Sequence, residues 1–369
     1  MSGPAAGTAH AATTTDVVCL GESMVAFLPS QPGRLADVPS FGRGIGGAES
    51  NVACALAAAG HRAAWVGRVG ADGFGDHLVE TISGYGVDTS AVRRDPARPT
   101  GIYFRTATDR GAGAHEVAYY RAGSAASAMS PANVPYEDVF AGRILHLSGI
   151  TAALSADCLS LLRDLTAPRA GRPLVSFDVN HRPHLWRGGD ASVLLEPARR
   201  CDLVFVGEDE AEEAWGIVGA EAIRAALPEP SVLVVKRGSA GATVFSGLRP
   251  GPRSSNAGEL GHARGAERGD TVTLVPALHV DVVAAVGAGD AFAAGFLSAT
   301  LRGLSVRDRV RHGHLMAAAV LTVPGDLTAP PARDHADRLV ALDDEAWGRL
   351  RLGPGWTAAD RACEEVRTS

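Results

Sequence analysis

From Ile144 onward the chain alternates short apolar runs with segments of helical spacing. The runs are Ile144–Ser148, Leu174–Asp178, Leu203–Val206 and Val232–Lys236, with helical segments near Ala156–Leu165 and from Asp209 onward. Strands separated by helices pair in parallel, and the crossover helices then cover the sheet. The expected class is therefore α/β. Upstream, Asp16–Leu20 and Ala64–Val69 read as further strands, Asn51–Ala59 and Phe74–Ser83 as helices. Two stretches, near 21–45 and 98–122, interrupt the alternation. Thr100–Thr106 and His115–Arg121 read as strands on either side of a Gly-containing turn, so these stretches predict a small β-layer beside the main sheet. A lid over a cleft is the natural use of such a layer.

One large domain over 15–350 is the expected organisation. Residues 1–14 read as a disordered tail, 249–270 as an exposed loop insertion rich in Gly, Arg, Ser and Pro, and 357–369 as either a helix or a tail. The net charge of −6 gives no basic footprint for nucleic acid and no polybasic patch for a membrane. No apolar run reaches the length of a membrane span. Five scattered cysteines without a CxxC pair read as reduced thiols, which predicts a cytoplasmic protein.

The stretch Val286-Gly287-Ala288-Gly289-Asp290-Ala291-Phe292 follows a β-rich run, Leu278–Val283, and precedes an apolar helical pattern. Glycines around one alanine let the backbone turn its N–H groups outward, and the helix start adds positive potential. A carboxylate beside such an anion hole repels phosphate. Asp290 makes sense there if it takes a proton from a hydroxyl that attacks a phosphoryl group. The plainer reading is a Gly-rich turn with Asp as helix cap.

Other turns carry candidate ligands. Gly46-Gly47-Ala48-Glu49-Ser50-Asn51 lets a ligand approach the backbone, with Asn51 offering both donor and acceptor, or it is a helix start capped by Ser50 or Asn51. Gly67–Gly75 imitates a dinucleotide fingerprint but lacks the downstream acidic residue, which leaves a tight strand-to-helix turn. Tyr119 and Arg121 point the same way at a strand end and suit a hydroxylated anion, or a solvated edge with aromatic packing. Asp178-Val179-Asn180-His181-Arg182 sits at the C-terminal end of a strand, where open parallel sheets build ligand sites. Arg182 is the group there that can grip a carboxylate or phosphate, unless it and His181 are simply polar loop residues. The acidic run Glu208–Glu213 holds carboxylates that could organise Mg²⁺ through water, or that merely suit a helix start. Lys236–Gly241 places a Gly-rich turn where a nucleotide could pass. Neither a Walker A motif nor a GxSxG elbow is present.

The blocks Gly46–Asn51, continuing to Gly75, and Val286–Phe292 together resemble the ribokinase (PfkB-type) family of carbohydrate kinases, over about Val17–Ala329. The resemblance implies a three-layer α/β/α fold with a mostly parallel central sheet and a small β-sheet lid. Gly21-Glu22, Gly46–Glu49, Tyr119–Arg121 with Gly123–Ala125, and Asp178-x-Asn180-x-Arg182 with Leu185-Trp186 resemble the branch that acts on 2-keto-3-deoxygluconate. It implies a sugar pocket of Gly47, Asn51, Tyr103, Tyr119, Arg121, Arg182 and Asp290. It also implies ATP near Lys236, Gly238, Gly241, Gly287 and Gly289, and Mg²⁺ organised indirectly by Glu210. Asp290 would be the base, with charge on the phosphoryl group met around Gly287, Ala288 and Gly289. Two arginines suit a sugar acid, since a neutral sugar has no carboxylate to hold. A homodimer through the lid is a further implication. Two departures stand out. Val283–Val286 replaces the family's Asp-Thr, which withdraws support for an activating monovalent cation, and Gly207 stands where many relatives have Asn. A kinase of fructose, ribose or a nucleoside, and a sugar-binding protein without turnover, are the competing readings.

Overall fold

The structure is a computed structural model that describes residues 15–106, 116–247 and 269–358. The expected N-terminal tail, nearly all of the 249–270 loop, and 359–369 of the C-terminal segment lie outside the described residues.

The chain opens with β1 (Thr15–Leu20), leaves for β2 (Met24–Pro29) and β3 (Phe41–Gly46), and returns through helix Ala48–Ala58 to β4 (Ala63–Val66). A short parallel pair, β5 (Arg68–Gly70) and β6 (Arg93–Asp95), precedes a second excursion through β7 (Ile102–Arg105) and β8 (Val117–Tyr120). Then β9 (Gly142–Ser148), β10 (Leu174–Asp178), β11 (Leu203–Gly207), β12 (Val232–Lys236), β13 (Ala242–Ser246) and β14 (Thr271–Val275) complete one sheet. Its order is β14-β13-β12-β11-β10-β9-β1-β4. The run from β4 to β12 is parallel, and β13 and β14 add an antiparallel edge. This is the expected α/β fold. The central strand β11 is buried at every residue, as a strand covered on both faces must be.

Two apolar layers cover the sheet. On one face helices Ala48–Ala58, Ala288–Leu301 and Val306–Leu321 pack around Trp65, Phe205 and Phe296. On the other, helix Ala156–Thr166 and its neighbours pack around Leu147, Phe177 and Phe245. The two interruptions form a separate four-stranded sheet, ordered β3-β2-β7-β8. One of its faces carries Met24, Ala26 and Tyr103.

Local expectations differ in three places. The predicted strand Ala64–Val69 breaks at Gly67, where a Cβ would stand 2.6 Å from the Trp65 ring and 2.9 Å from the Gly21 carbonyl oxygen. The predicted β-rich run Leu278–Val283 shortens to His279–Val280, which pairs with Arg351–Leu352 away from the main sheet. The first helix starts at Ala48, so Gly47 holds the cap position and neither Ser50 nor Asn51 does.

Candidate active site

The parallel strands deliver their C-terminal ends to one edge, and the functional side chains gather there. Gly47 begins helix Ala48–Ala58 with extended backbone. A Cβ on it would stand 2.3 Å from the Glu22 carbonyl oxygen, so only glycine lets the two turns approach this closely. That approach sets Asn51 in the first turn of the helix. Its Nδ2 donates to Asp290 Oδ2 at 2.9 Å, while its Oδ1 is buried without a hydrogen-bond partner.

Asp290 lies in the first turn of helix Ala288–Leu301. The cap, Gly287, adopts φ 79°, and a Cβ there would meet the Asp326 carbonyl oxygen at 2.5 Å. The N–H groups of Ala288, Gly289 and Asp290 have no intrahelical acceptor, and the helix dipole adds to their attraction for an anion. Burial, reinforced by Asp178, pushes the Asp290 carboxyl up to about 7. The Asn51 hydrogen bond and the charges of Arg182 and Lys236 oppose that rise. A carboxyl poised near neutrality beside an anion-binding turn can accept a proton at working pH.

All seven residues that the sequence groups as a sugar pocket line one cavity of about 140 Å³ at this edge. Tyr103 is buried, and burial holds its hydroxyl above the ordinary phenol range. Tyr119 stacks on His184, ring centroids 4.6 Å apart. The two arginines differ. Arg121 is already matched: its Nη2 donates to Glu22, whose other oxygen accepts from Ser124 Oγ at 2.6 Å. Its Nε is buried without a partner. Arg182 keeps 45% of its side chain exposed, with Nη1 on the His181 carbonyl at 3.0 Å and Glu210 3.7 Å away.

Five polar residues that line the cavity fall outside the site predicted from sequence: Glu22, Arg105, Asn180, His184 and Asp326. Arg105 was within reach of the sequence reading, since β7 alternates and Arg105 shares a face with Tyr103. Asp326 follows Pro324-Gly325 in an irregular segment and carries no periodic signal.

Lys236 Nζ sits 3.0 Å from both carboxylate oxygens of Asp178 and 3.9 Å from Glu210, and the Asp178 and Glu210 charges hold its pKa up against burial. A Cβ on Gly289 would stand 3.8 Å from that ammonium, so Lys236 flanks the Gly287–Asp290 turn. Gly238 and Gly241 do not line the cavity. Gly241, at φ 101°, is needed because a Cβ would strike the Val275 carbonyl oxygen at 2.1 Å. Glu210 accepts from the Gly207 N–H at 2.7 Å, and burial raises its pKa. Among the described residues no three acidic, His or Cys side chains cluster to hold a metal. Asp178 and Glu210, each engaged by Lys236, would suit Mg²⁺ as outer partners that hold its waters.

The chain matches the model of the pfkB family carbohydrate kinases over residues 14–333. It belongs to that family. Two relatives, both named 2-dehydro-3-deoxygluconokinase, come from Bacillus subtilis and Thermoproteus tenax. The first is 34% identical and the alignment covers 86% of this chain and 93% of the relative. The second is 32% identical, covering 88% and 94%. A sugar kinase from Pyrococcus horikoshii, solved in complex with ATP, superposes with a TM-score of 0.70 at 24% identity, covering 86% of this chain and 96% of that one. The protein is thus a carbohydrate kinase on a ribokinase-like fold. Among its described residues no helix is long and apolar enough to cross a membrane.

Proposed function

We propose that this pfkB-family kinase transfers the γ-phosphoryl group of ATP to 2-keto-3-deoxygluconate, giving 2-keto-3-deoxy-6-phosphogluconate. The carrying observation is the Asn51–Asp290 pair beside the Gly287–Asp290 turn, in a cavity that also presents Arg182. Asp290 takes the proton of the sugar's terminal hydroxyl as that oxygen bonds to the γ-phosphorus and the bond to the β-phosphate oxygen breaks. The N–H groups of Ala288 and Gly289 and the Lys236 ammonium meet the charge on the transferring group. Asn51 orients the Asp290 carboxylate, and its unpartnered Oδ1 is an acceptor for a second sugar hydroxyl. Mg²⁺, when bound, neutralises charge on the phosphates, with Glu210 as its outer partner. The small sheet keeps water from the reacting centre.

The acid preference rests on Arg182, whose exposed fork can grip a carboxylate, and on the orphaned Nε of Arg121. One observation favours a neutral sugar instead: Glu22 already balances the Arg121 charge. A coupled ADP-release assay with Mg-ATP over 2-keto-3-deoxygluconate, fructose, ribose and adenosine separates the two. The expected result is preferential turnover of the keto-deoxy acid, lost in Asp290→Asn. Faster turnover of fructose or ribose would overturn the acid reading.

Two further proposals concern setting. Phe41 and Phe27 flank Phe104 on the far face of the small sheet, Phe74 of helix Gly73–Gly84 covers Phe27, and Tyr120, 65% exposed, stands beside Phe104 at the open end; this end favours pairing with a second copy, as the resemblance implies. The free buried thiols Cys19, Cys54, Cys158 and Cys201 suit a reducing compartment such as the cytoplasm.

A further inference from the structure

The small sheet and the phosphoryl-binding turn meet at one carboxylate. On β7, Tyr103 and Arg105 share the face that lines the cavity, while Phe104 between them stacks on Phe27 at 4.6 Å on the other face. Both inward side chains end on Asp326. Arg105 Nη2 donates to Oδ1 at 2.8 Å, and the Tyr103 hydroxyl donates to Oδ2 at 3.3 Å. The ion pair is nearly dry, with 5% and 9% of the two side chains exposed. Desolvating two charges costs roughly what their attraction returns, so packing alone gives little reason for an ion pair at this position. What the pair does is fix geometry. A charge-assisted contact between buried groups admits far fewer arrangements than an apolar one.

The main chain of the same residue does a second thing. Gly287 packs directly on it: a Cβ at Gly287 would stand 2.5 Å from the Asp326 carbonyl oxygen and 3.1 Å from its Cα. Gly287 is the left-handed cap of helix Ala288–Leu301, whose first N–H groups belong to Ala288 and Gly289. Asp326 therefore holds the small sheet with its side chain and seats the anion turn with its backbone.

We propose that the Arg105–Asp326 pair is a latch coupling the seating of the small sheet to the geometry of the Gly287–Asp290 turn, which makes Arg105 a positioning residue for phosphoryl transfer. This rests on the reading of that turn as the phosphoryl site. Arg105 acts through Asp326. Breaking the pair leaves the sugar's other contacts in place, but it loosens the turn and admits water. The effect falls on kcat and on coupling, and not on KM.

The test uses the full-length enzyme. ADP release and sugar-phosphate formation are measured at saturating Mg-ATP, with and without 2-keto-3-deoxygluconate. In Arg105→Gln, kcat is expected to fall by about tenfold or more, KM for the sugar to change by less than about threefold, and the share of ADP released without sugar phosphate to rise by about tenfold. Arg105→Lys, which keeps the buried charge, is expected to recover most of both. An unchanged kcat, a loss confined to KM, or a lower kcat with coupling intact would each overturn the latch. Arg105→Gln alone leaves the Asp326 carboxylate buried without the cation that balances it, so the double variant Arg105→Gln/Asp326→Asn, in which two neutral amides can still hydrogen-bond, guards against simple unfolding. It is expected to be uncoupled as well, and full coupling in it overturns the proposal. If the wild type prefers another sugar, the substrate reading fails alone. The latch is then judged with that sugar, because each coupling ratio is internal to one variant.

Discussion

Asp290 is a carboxyl that burial holds at about 7 against the pull of Asn51, Arg182 and Lys236 toward its charged form. As a base it must be ionised, so kcat/KM should rise about tenfold per pH unit below 7 and level off above about 8. A flat profile between pH 5 and 8 would remove Asp290 from the proton-transfer step. The same shift has a stability consequence. A carboxyl whose pKa is higher folded than unfolded binds more protons in the native state, so stability falls as pH rises from the ordinary 3.8 to about 7, and the penalty is constant above that. Asp290→Asn keeps an acceptor for Asn51 and cannot ionise. It should cost about 10²–10⁴ in kcat yet stabilise the fold at pH 8, by on the order of 2 kcal/mol once cavity water is allowed for. Thermal melts at pH 8 and pH 4 check the sign: the gain over wild type should be present at pH 8 and vanish near pH 4.

At the scale of elements, the turn before helix Ala288–Leu301 depends on one backbone conformation. Gly287→Ala must hold φ 79° with a Cβ driven into the Asp326 carbonyl, which costs at least about 1–2 kcal/mol in the αL conformation alone. We expect a lowered melting temperature and a loss of kcat exceeding the loss in sugar affinity, since Asn51 and Arg182 stay on other elements. Wild-type kcat in Gly287→Ala would show that the turn does not handle the phosphoryl group. This turn was legible in the sequence because its parts are contiguous: glycine, glycine and acid stand together at the start of an apolar helical pattern. The parallel strands were legible for a related reason, since β11 reads as an unbroken apolar run and its neighbours as mostly apolar ones. The Arg121–Glu22 and Arg105–Asp326 pairs were not, because their partners are 99 and 221 residues apart and charge type alone does not name a partner. Gly67 misled for the opposite reason. Its run has β-type residues on both sides, Trp65-Val66 before and Val69 after, and only the Trp65 ring beside it reveals that the strand must end.

Over the whole molecule, a chain of net charge −6 collects Arg105, Arg121, Arg182 and Lys236 at one sheet edge, yet the same edge holds Glu22, Asp178, Glu210, Asp290 and Asp326. Four cations face five carboxylates, so the site has no surplus of positive charge for a bare triphosphate. The counter-charge must arrive with the nucleotide, and turnover should follow Mg-ATP and not total ATP: chelating the metal should abolish it, and ATP in excess over Mg²⁺ should not raise it. Full activity in EDTA would contradict this balance. The far face of the small sheet makes a different demand. Tyr120 stands on an edge strand, 65% exposed, at the end of a row of touching aromatic rings. Exposed aromatic surface of this kind on a water-soluble face gains most by pairing. A second copy would cover the open end of that row and brace each small sheet over its cavity, joining assembly to the Arg105–Asp326 contact on the inner face of the same strands. Light scattering coupled to gel filtration should give twice the chain mass, and Tyr120→Glu should shift that mass toward the monomer and lower kcat in parallel. A monomeric wild type at micromolar concentration, or a dimer indifferent to the substitution, would place the subunit contact elsewhere or nowhere.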